Sequence, residues 1–308
     1  ERNSADPRIQ HSITLEVDDF GNVLKQAAIG YGRRKLIRVV DDQGNVQQVP
    51  NPGLSGIGLA DQAKQTTPLL TYTEKRVTNP IETSDTYRSP LPCEALTFEL
   101  TGYTPTGSAG RFQASDLVEP DPTAPGRLRH KFTDQVSYEA TATGNPCRRP
   151  IEWLRTLYRR DDLNGLLPLG ELQPLALPGE SYKLAFTPGL IAQVFQRPRQ
   201  GQAAEPLLPN LMAVLGGQAG NRGGYLPSQA LKGDGRFPVT DDDDHWWIPS
   251  GRSYFTANPA DAPAVELEQA QQHFFLPRRY RDPFGQDALV EFDAHDLLMV
   301  KTSDALGN

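Results

Sequence analysis

The chain has 308 residues, with 31 basic and 38 acidic side chains and a formal net charge of −7. This balance argues against a surface for nucleic acid or for an anionic membrane, and no run of about 18 apolar residues points to direct membrane insertion. The two cysteines, Cys93 and Cys147, are too few for a disulfide framework. The 27 glycines and 27 prolines exceed average usage and favour a β-rich chain with many turns.

The first predicted element is a β-hairpin formed by residues 13–17 and 23–31. In residues 15–18 apolar side chains alternate with carboxylates, which places the two kinds on opposite faces of a strand. Gly21 and Asn22 are predicted to form the turn, because glycine adopts positive φ at little steric cost and Asn and Asp bond their own backbone in turns.

The same turn chemistry recurs along the chain. Gly285 lies in a second copy of the pattern, and the chain ends with the same pattern around Gly307, 22 residues later. A third possible copy lies at residues 41–45, 23 residues after the first. A turn motif that returns every 20-odd residues is typical of repetitive β architectures, although coincidental hairpins would give the same pattern. We therefore expect Gly21, Asn22, Gly285 and Gly307 to be structural turn positions.

Further elements follow in chain order. Alternation predicts strands at residues 69–77, 95–100, 136–140 and 289–293, whereas residues 151–158 fit a strand or a helix. Residues 44–68 are predicted to be an exposed loop, and residues 101–130 a turn-rich excursion. The predicted fold class is mainly β, with antiparallel strand–turn–strand repeats and one or two short helices.

Two helices are predicted near the end of the chain. In the better supported one, Asp261 is the N-cap, Pro263 lies in the first turn and Pro277 ends the helix, with Leu267, Ala270 and Phe274 on one stripe. The second covers residues 210–215 and ends at two glycines.

The most suggestive cluster for chemistry is Asp241–Asp244, which precedes His245, Trp246 and Trp247. It could hold calcium or a sugar, but the ligand pattern of an EF-hand is absent, and a solvated acidic loop before a buried aromatic strand is the preferred interpretation. The glycine-rich residues 216–224 lack the Lys-Ser/Thr of a P-loop. The basic clusters at residues 33–35, 159–160 and 278–279 are expected to be solvated edges or ion-pair partners. We expect no catalytic residues, no cofactor and no metal.

Six long segments of the sequence are distinctive: HSITLEVDDFGNVLKQAAIGYGRR (11–34), YRSPLPCEALTFELTG (87–102), GRFQASDL (110–117), RTLYRRDDLNGLLPLGELQPLALPGESYKLAFTPGL (155–190), WWIPSGRSYF (246–255) and HFFLPRRYRDPFG (273–285). Together they resemble the B component of bacterial Tc insecticidal toxin complexes, the TcB/SpvB-like proteins with Rhs (YD) repeats.

This resemblance implies a structural role and a set of partners. It identifies the chain as a fragment of a longer, secreted protein, in the region after the β-propeller where the Rhs-type β-sheet shell begins. On this basis the chain is a single β-rich shell segment, with a toxin middle/C-terminal type region at 1–150 that runs into an Rhs-like region at 151–308. The implied partners are the C component with its enclosed cytotoxic effector and, through the parent protein, the pore-forming A component.

Two other functions remain open at this point. A β-rich carbohydrate-binding or carbohydrate-active module would need two carboxylates about 5–10 Å apart beside an exposed tryptophan in a cleft. A calcium-stabilised β-solenoid would place the ion at Asp241–Asp244.

Overall fold

The computed structural model describes residues 5–142, 144–208, 210–216 and 223–308. The chain divides into two compact units, the first formed by residues 1–74 and 97–151 and the second by residues 75–96 and 152–308. Both units are built mainly from antiparallel strands, which confirms the predicted mainly β fold class, although the described residues form six short α-helices rather than the one or two predicted. The helices are short, and none in the described part of the chain is long and apolar enough to cross a membrane.

The strands of the described chain are β1 (Gln10–Val17), β2 (Val23–Gly30), β3 (Leu36–Val40), β4 (Val46–Pro50), β5 (Leu69–Val77), β6 (Ile81–Glu82), β7 (Tyr87–Arg88), β8 (Pro92–Thr101), β9 (Val118–Pro120), β10 (Leu128–His130), β11 (Asp134–Gln135), β12 (Cys147–Tyr158), β13 (Pro178–Phe186), β14 (Gln196–Arg199), β15 (Gln202–Pro206), β16 (Leu226–Pro227), β17 (Trp246–Pro249), β18 (Arg252–Tyr254), β19 (Arg279–Arg281), β20 (Asp287–Phe292) and β21 (Met299–Ser303).

The α-helices of the described chain are α1 (Leu59–Thr66), α2 (Ala114–Leu117), α3 (Pro188–Val194), α4 (Leu211–Val214), α5 (Ser228–Gly233) and α6 (Pro263–Gln272), and 3₁₀ turns cover Pro52–Leu54 and Ser108–Gly110.

In the first unit, β1, β2 and β5 pair antiparallel in that order. Ala27 and Ile29 on β2 and Leu70 and Tyr72 on β5 are buried, and they alternate with more exposed neighbours as the period of a strand requires. Ala27 faces Tyr72 and Ile29 faces Leu70 across the pair, so the register aligns the apolar faces of the two strands.

In the second unit, β13 lies between β12 and β17, and β16 pairs with the far side of β17. One core cluster packs on this sheet and contains Leu157, Tyr182, Leu231, Phe237 and Trp247. A separate sheet of the same unit has the order β18-β19-β20-β21 and is antiparallel throughout.

Four turns in the described part of the chain share one geometry, at Asp18–Asn22, Asp41–Asn45, Asp282–Gln286 and Asp304–Asn308, and the first three connect the strands of hairpins. In each, the glycine N–H donates to the carbonyl of the Asp three residues before it, and the Asp N–H donates to the carbonyl of the fifth residue. The Asp Oδ1 also accepts the N–H groups two and four residues further on. The recurring Asp is therefore a turn cap, as in an Asx-turn.

The glycine of these turns lies in the left-handed region. Gly21 has φ of 86°, Gly285 of 84° and Gly307 of 83°, and Asn22 adds a side-chain bond of 2.9 Å to Asp18 Oδ2. The side-chain amide of Asn22 is the largest cause that holds the pKa of Asp18 below its ordinary value. This conformation follows from a three-residue loop in which a type I turn is completed by a left-handed residue.

Residues 44–68 were predicted to be an exposed loop, and that prediction is wrong. They contain β4, a 3₁₀ turn and α1. The organising residue is Asn51, which is 3% exposed; its amide donates to Asp6 Oδ2 and to the Arg34 carbonyl, and its Oδ1 accepts from Gly53 N–H. A buried asparagine with all these partners orders a segment whose glycine, proline and glutamine content otherwise resembles a loop.

The strand predicted at residues 136–140 is also wrong. The extended residues are Asp134 and Gln135, which pair in parallel with Cys147 and Arg148. The chain then turns, with the Ala140 N–H on the Ser137 carbonyl. Residues 151–158, by contrast, are a strand within β12 and not a helix, and residues 154–158 pair antiparallel with β13.

Helix α6 forms where it was predicted, but its ends differ. Its N-cap is Ala262 rather than Asp261, whose carboxylate accepts instead from the Asn258 amide. At the other end Phe275 N–H donates to the Ala270 carbonyl, and Phe274 has φ of 55°. This is a Schellman-type cap with Phe274 in the left-handed position that glycine usually occupies. Phe274 therefore does not continue the buried stripe and is 78% exposed.

Replacing Gly21 with valine should destabilise the protein by more than about 1 kcal/mol, because a β-branched residue is strained at positive φ. A Cβ at Gly21 meets nothing within 4 Å, so backbone strain alone carries the effect. The matched control is Gly144→Val, where a Cβ also meets open space and φ is not left-handed. Equal urea midpoints for the two variants would contradict the shared turn geometry.

Replacing Phe274 with glycine should stabilise the protein by up to about 1 kcal/mol, because it relieves the left-handed strain of an exposed aromatic residue. Phe274→Ala is the control, since it removes the ring but keeps a Cβ at positive φ. Thermal unfolding of both variants measures the difference. A Phe274→Gly variant no more stable than Phe274→Ala would show that this cap is not strained.

Candidate functional site

The most unusual feature of the second unit is a buried guanidinium, that of Arg155, which is 2% exposed. Its Nε donates to Glu94 Oε1 at 2.7 Å, and its Nη atoms both donate to the Asp241 carboxylate. The guanidinium carbon lies 4.4 Å from the ring centre of Phe237, 4.5 Å from that of Trp153 and 5.0 Å from that of Trp247. We call this group of six residues the Arg155 cage.

Strand periodicity assembles this cage. Trp153, Arg155 and Leu157 alternate along β12 and so share one face of the sheet. Arg155 faces Tyr182 on β13, and two residues further along β13 Leu184 faces Trp247 on β17. The register therefore places Trp153 on β12 and Trp247 on β17 on the same face of the sheet as Arg155.

Glu94 is the anionic centre of the cage and is mostly buried. Its Oε1 accepts from both Arg155 and the indole Nε1 of Trp153, at 2.7 and 2.8 Å, and its Oε2 accepts from Arg76 at 2.9 Å. Burial alone raises the pKa of Glu94, but Arg155, the indole N–H and Arg76 outweigh it, so the pKa lies below the ordinary value. Glu94 is thus held as a carboxylate, as a structural counter-ion requires.

A second buried pair joins Arg159, the residue that follows β12, to helix α6. Both Nη atoms of Arg159 donate to the carboxylate of Glu266, at 2.9 and 3.0 Å, and the two side chains are 3% and 7% exposed. Glu266 Oε1 also accepts the Phe255 N–H, and Arg159 also donates to the Leu163 carbonyl. This bidentate pair fixes the helix against Leu163, Leu177 and Phe255, which form the surrounding core with Ala270.

A cleft of about 510 Å³ lies at the ends of β18, β19 and β20. Arg281 spans the Asp287 carboxylate with two bonds of 2.8 Å, and Arg252 pairs with Glu180. Arg279 lies below, 4% exposed, with its guanidinium 3.8 Å from the ring centre of Tyr254. The guanidinium groups of Arg252 and Arg281, which line the cleft, are therefore already paired with carboxylates.

The acidic cluster predicted from the sequence is divided in the structure. Asp242, Asp243 and Asp244 are exposed, and Asp243 pairs with Lys232 at 2.8 Å, whereas Asp241 is largely buried and pairs with Arg155. Trp246 is 5% exposed and Trp247 fully buried, with its Nε1–H on Ser228 Oγ at 2.8 Å. The cluster leads into a buried aromatic strand, but sequence reasoning missed that Asp241 is the partner of a buried arginine.

The remaining predicted positions do not converge on one site. Gly21 and Asn22 share one turn, and Gly285 and Gly307 belong to two others. Of the glycine-rich stretch, only Gly216, Gly223 and Gly224 are among the described residues. No group of three or more His, Cys, Asp or Glu side chains in the described chain has an arrangement that could hold a metal ion.

The basic clusters prove to be ion-pair partners. Arg33 pairs with Asp6, Arg159 with Glu266, Arg278 with Asp296 and Arg279 with Asp287. One sequence pattern could have indicated that Arg155, Arg159 and Arg279 are buried. Each of these arginines takes a position where the alternation of a strand calls for an apolar side chain. Chemically, a carboxylate held by a guanidinium and fixed between aromatic rings positions strands rather than transferring protons.

The first part of the chain matches a known protein family. Residues 1–89 match the family described as the insecticide toxin TcdB middle/C-terminal region. The match confirms that the chain resembles the B component of Tc insecticidal toxin complexes. No curated protein sequence matches the chain.

Several solved structures match this chain, and two of them cover most of it. One is a Photorhabdus luminescens Tc holotoxin pore that carries a TccC3 mutation, with 16% identity and a TM-score of 0.49 over 98% of this chain. The other is a crystal structure of TcdB2-TccC3-Cdc42, with 17% identity and a TM-score of 0.46 over 98% of this chain. The chain spans 11% and 12% of the length of these two proteins.

Replacing Arg159 with methionine should destabilise the protein by about 3–5 kcal/mol, because it leaves the Glu266 carboxylate buried without its counter-ion. The double variant Arg159→Met/Glu266→Gln should recover part of the loss, since the neutral amide still accepts the Phe255 N–H. Urea unfolding measures both variants.

Arg160→Met is the matched control for this series, because Arg160 pairs with Asp162 on the surface and the two side chains are about half exposed. It should change stability far less than Arg159→Met. A double variant less stable than Arg159→Met would contradict the role of the buried charge.

Proposed function

We propose that the chain is a structural wall segment of the B component of a Tc-type insecticidal toxin complex. In this role its antiparallel sheets help to form a shell that encloses the cytotoxic effector of the C component, in a complex that is exported from the cell. The match of residues 1–89 to the TcdB middle/C-terminal region is the observation that carries the proposal.

The described interior supports a structural role. The buried charged groups of the second unit belong to arginine–carboxylate pairs that join β12, β19 and helix α6 to their neighbours. Such pairs fix geometry in a wall that must keep its shape. We further propose that the segment has no enzymatic activity of its own, and that the C component and the A component contact the parent protein.

Strand edges are the features through which such a segment would join a larger shell. In the described chain β21 pairs with β20 and has no strand on its other side. Four consecutive apolar residues at this edge, Leu297–Val300, are 61–79% exposed. An unpaired edge with apolar side chains readily accepts another strand.

No observation favours the carbohydrate alternative. A sugar platform requires an exposed indole face beside paired carboxylates. Trp246 and Trp247 are buried, and Trp153 packs against the core as part of the Arg155 cage. A glycan titration followed by tryptophan fluorescence would revive this alternative if it gave a saturable shift.

Residues 1–308 in isolation should self-associate in a concentration-dependent manner, because the β21 edge is not covered. Val300→Lys should reduce the association by placing a charge on this edge, whereas Val265→Lys, an equally drastic change on helix α6, should not. Light scattering after size-exclusion chromatography, over a range of concentrations, measures this. A monodisperse and thermally robust monomer would contradict the wall assignment.

The encapsulating role is tested with the parent protein and its C component expressed together. The effector region should resist protease in the co-expressed complex and be digested when the C component is expressed alone. Equal digestion in the two samples would contradict a shell that contains this segment.

A further inference from the structure

The first unit contains a histidine in an environment that opposes its charged form. His130 ends strand β10, and its ring centre lies 4.4 Å from that of Tyr72, 5.4 Å from that of Phe132 and 5.9 Å from that of Tyr103. Its Nδ1 is 3.2 Å from the Tyr103 hydroxyl. Its Nε2 is buried and has no hydrogen-bond partner among the described residues.

The site of His130 accommodates a neutral imidazole better than an imidazolium. The neutral ring has one N–H donor and one acceptor, and either tautomer can share a hydrogen bond with the Tyr103 hydroxyl. Imidazolium has two N–H donors, so one of them would be buried without an acceptor between aromatic rings. An unsatisfied charged donor is among the most unfavourable groups in a protein interior.

The charged neighbours make protonation harder still. Arg148 on β12 stacks 4.0 Å from the ring centre of Phe132, and Lys25 on β2 is the other nearby cation. The nearby anions already have partners, since Glu74 on β5 pairs with Arg148 at 3.0 Å and Glu16 on β1 pairs with Lys25 at 2.6 Å.

The chain neighbours of His130 are also engaged. Arg129 donates to Glu119, and Lys131 Nζ donates to the Ser115 carbonyl. These neighbours therefore offer no free carboxylate that could accept a hydrogen bond from a protonated His130.

We propose that His130 is an acid-sensitive lock on the ribbon formed by β9 and β10. The neutral ring packs the ribbon against Tyr72 on β5, and protonation releases it. The ribbon is suited to such release, because its two strands pair with each other over three residues only, with His130 opposite Val118. This inference does not rest on the proposed function.

The direction of the pH dependence follows from linkage. Burial first, and then Arg148 and Lys25, lower the pKa of His130 to about 4, whereas an exposed histidine titrates near 6.5. The released ribbon therefore binds a proton more tightly than the packed one. Its opening constant should rise about tenfold per pH unit as pH falls from about 6.5 to 4, and should level off outside that window.

Hydrogen–deuterium exchange of residues 115–132, corrected for intrinsic exchange rates, tests this in the 308-residue chain between pH 7 and pH 4. In the wild type the protection of this segment should fall steeply in the stated window. In His130→Phe, which cannot be protonated, the pH dependence should disappear. The matched control is His11→Gln, because His11 also contacts a tyrosine hydroxyl, that of Tyr31 at 3.3 Å, and this variant should keep the wild-type profile.

A second measurement needs no variant and remains valid if His130→Phe fails to fold. The His130 ring resonance followed by NMR should titrate well below the range of exposed histidines. Titration of His130 near pH 6.5 in the folded protein would overturn the proposal. So would a pH-independent opening of the ribbon in the wild type, or an unchanged pH dependence in a folded His130→Phe variant.

Discussion

The alignment of the strands in the second unit depends on the pairing of one buried charge, the guanidinium of Arg155. A guanidinium removed from water is costly unless each donor is paired, and this one is 2% exposed. Glu94 and Asp241 supply the pairing, and the faces of three aromatic rings cover the planar group. Because a register slip of one residue would turn Arg155 to the opposite face of β12, the cage allows one alignment of β12 with its neighbours.

The same principle recurs at other junctions of this unit. The Arg159–Glu266 pair joins the residue after β12 to α6, and Arg279, stacked on Tyr254, joins β18 to the Asp287 end of β20. A well-packed apolar core of equal volume could be as stable as such pairs, so their contribution is to geometry more than to stability. We expect a wall segment to need this, since its neighbours must meet fixed strand edges.

Local chemistry made part of this fold predictable from sequence. The Asp–x–x–Gly turns were recognisable because a five-residue loop contains all the bonds that define it, from the Asp18 cap to the positive φ of Gly21. Strand β5 was predicted at its observed bounds because its face alternates. The Arg155 cage was not predicted from the sequence, because Glu94 and Asp241 are 61 and 86 residues away from Arg155. The role of Asn51 in ordering residues 44–68 was not predicted for the same reason, because its partner Asp6 is 45 residues away. In the sequence alone, a buried asparagine cannot be told from an asparagine in a loop.

Native-state hydrogen exchange of the second unit tests most directly whether the Arg155 cage sets its alignment. Amides of residues 153–157, 182–184 and 247 should exchange only through global unfolding, with the same denaturant dependence as the unfolding transition. In Arg155→Met these amides should exchange through local openings while the four-stranded sheet of β18–β21 keeps its protection. Exchange of the cage strands through local openings in the wild type would contradict this account.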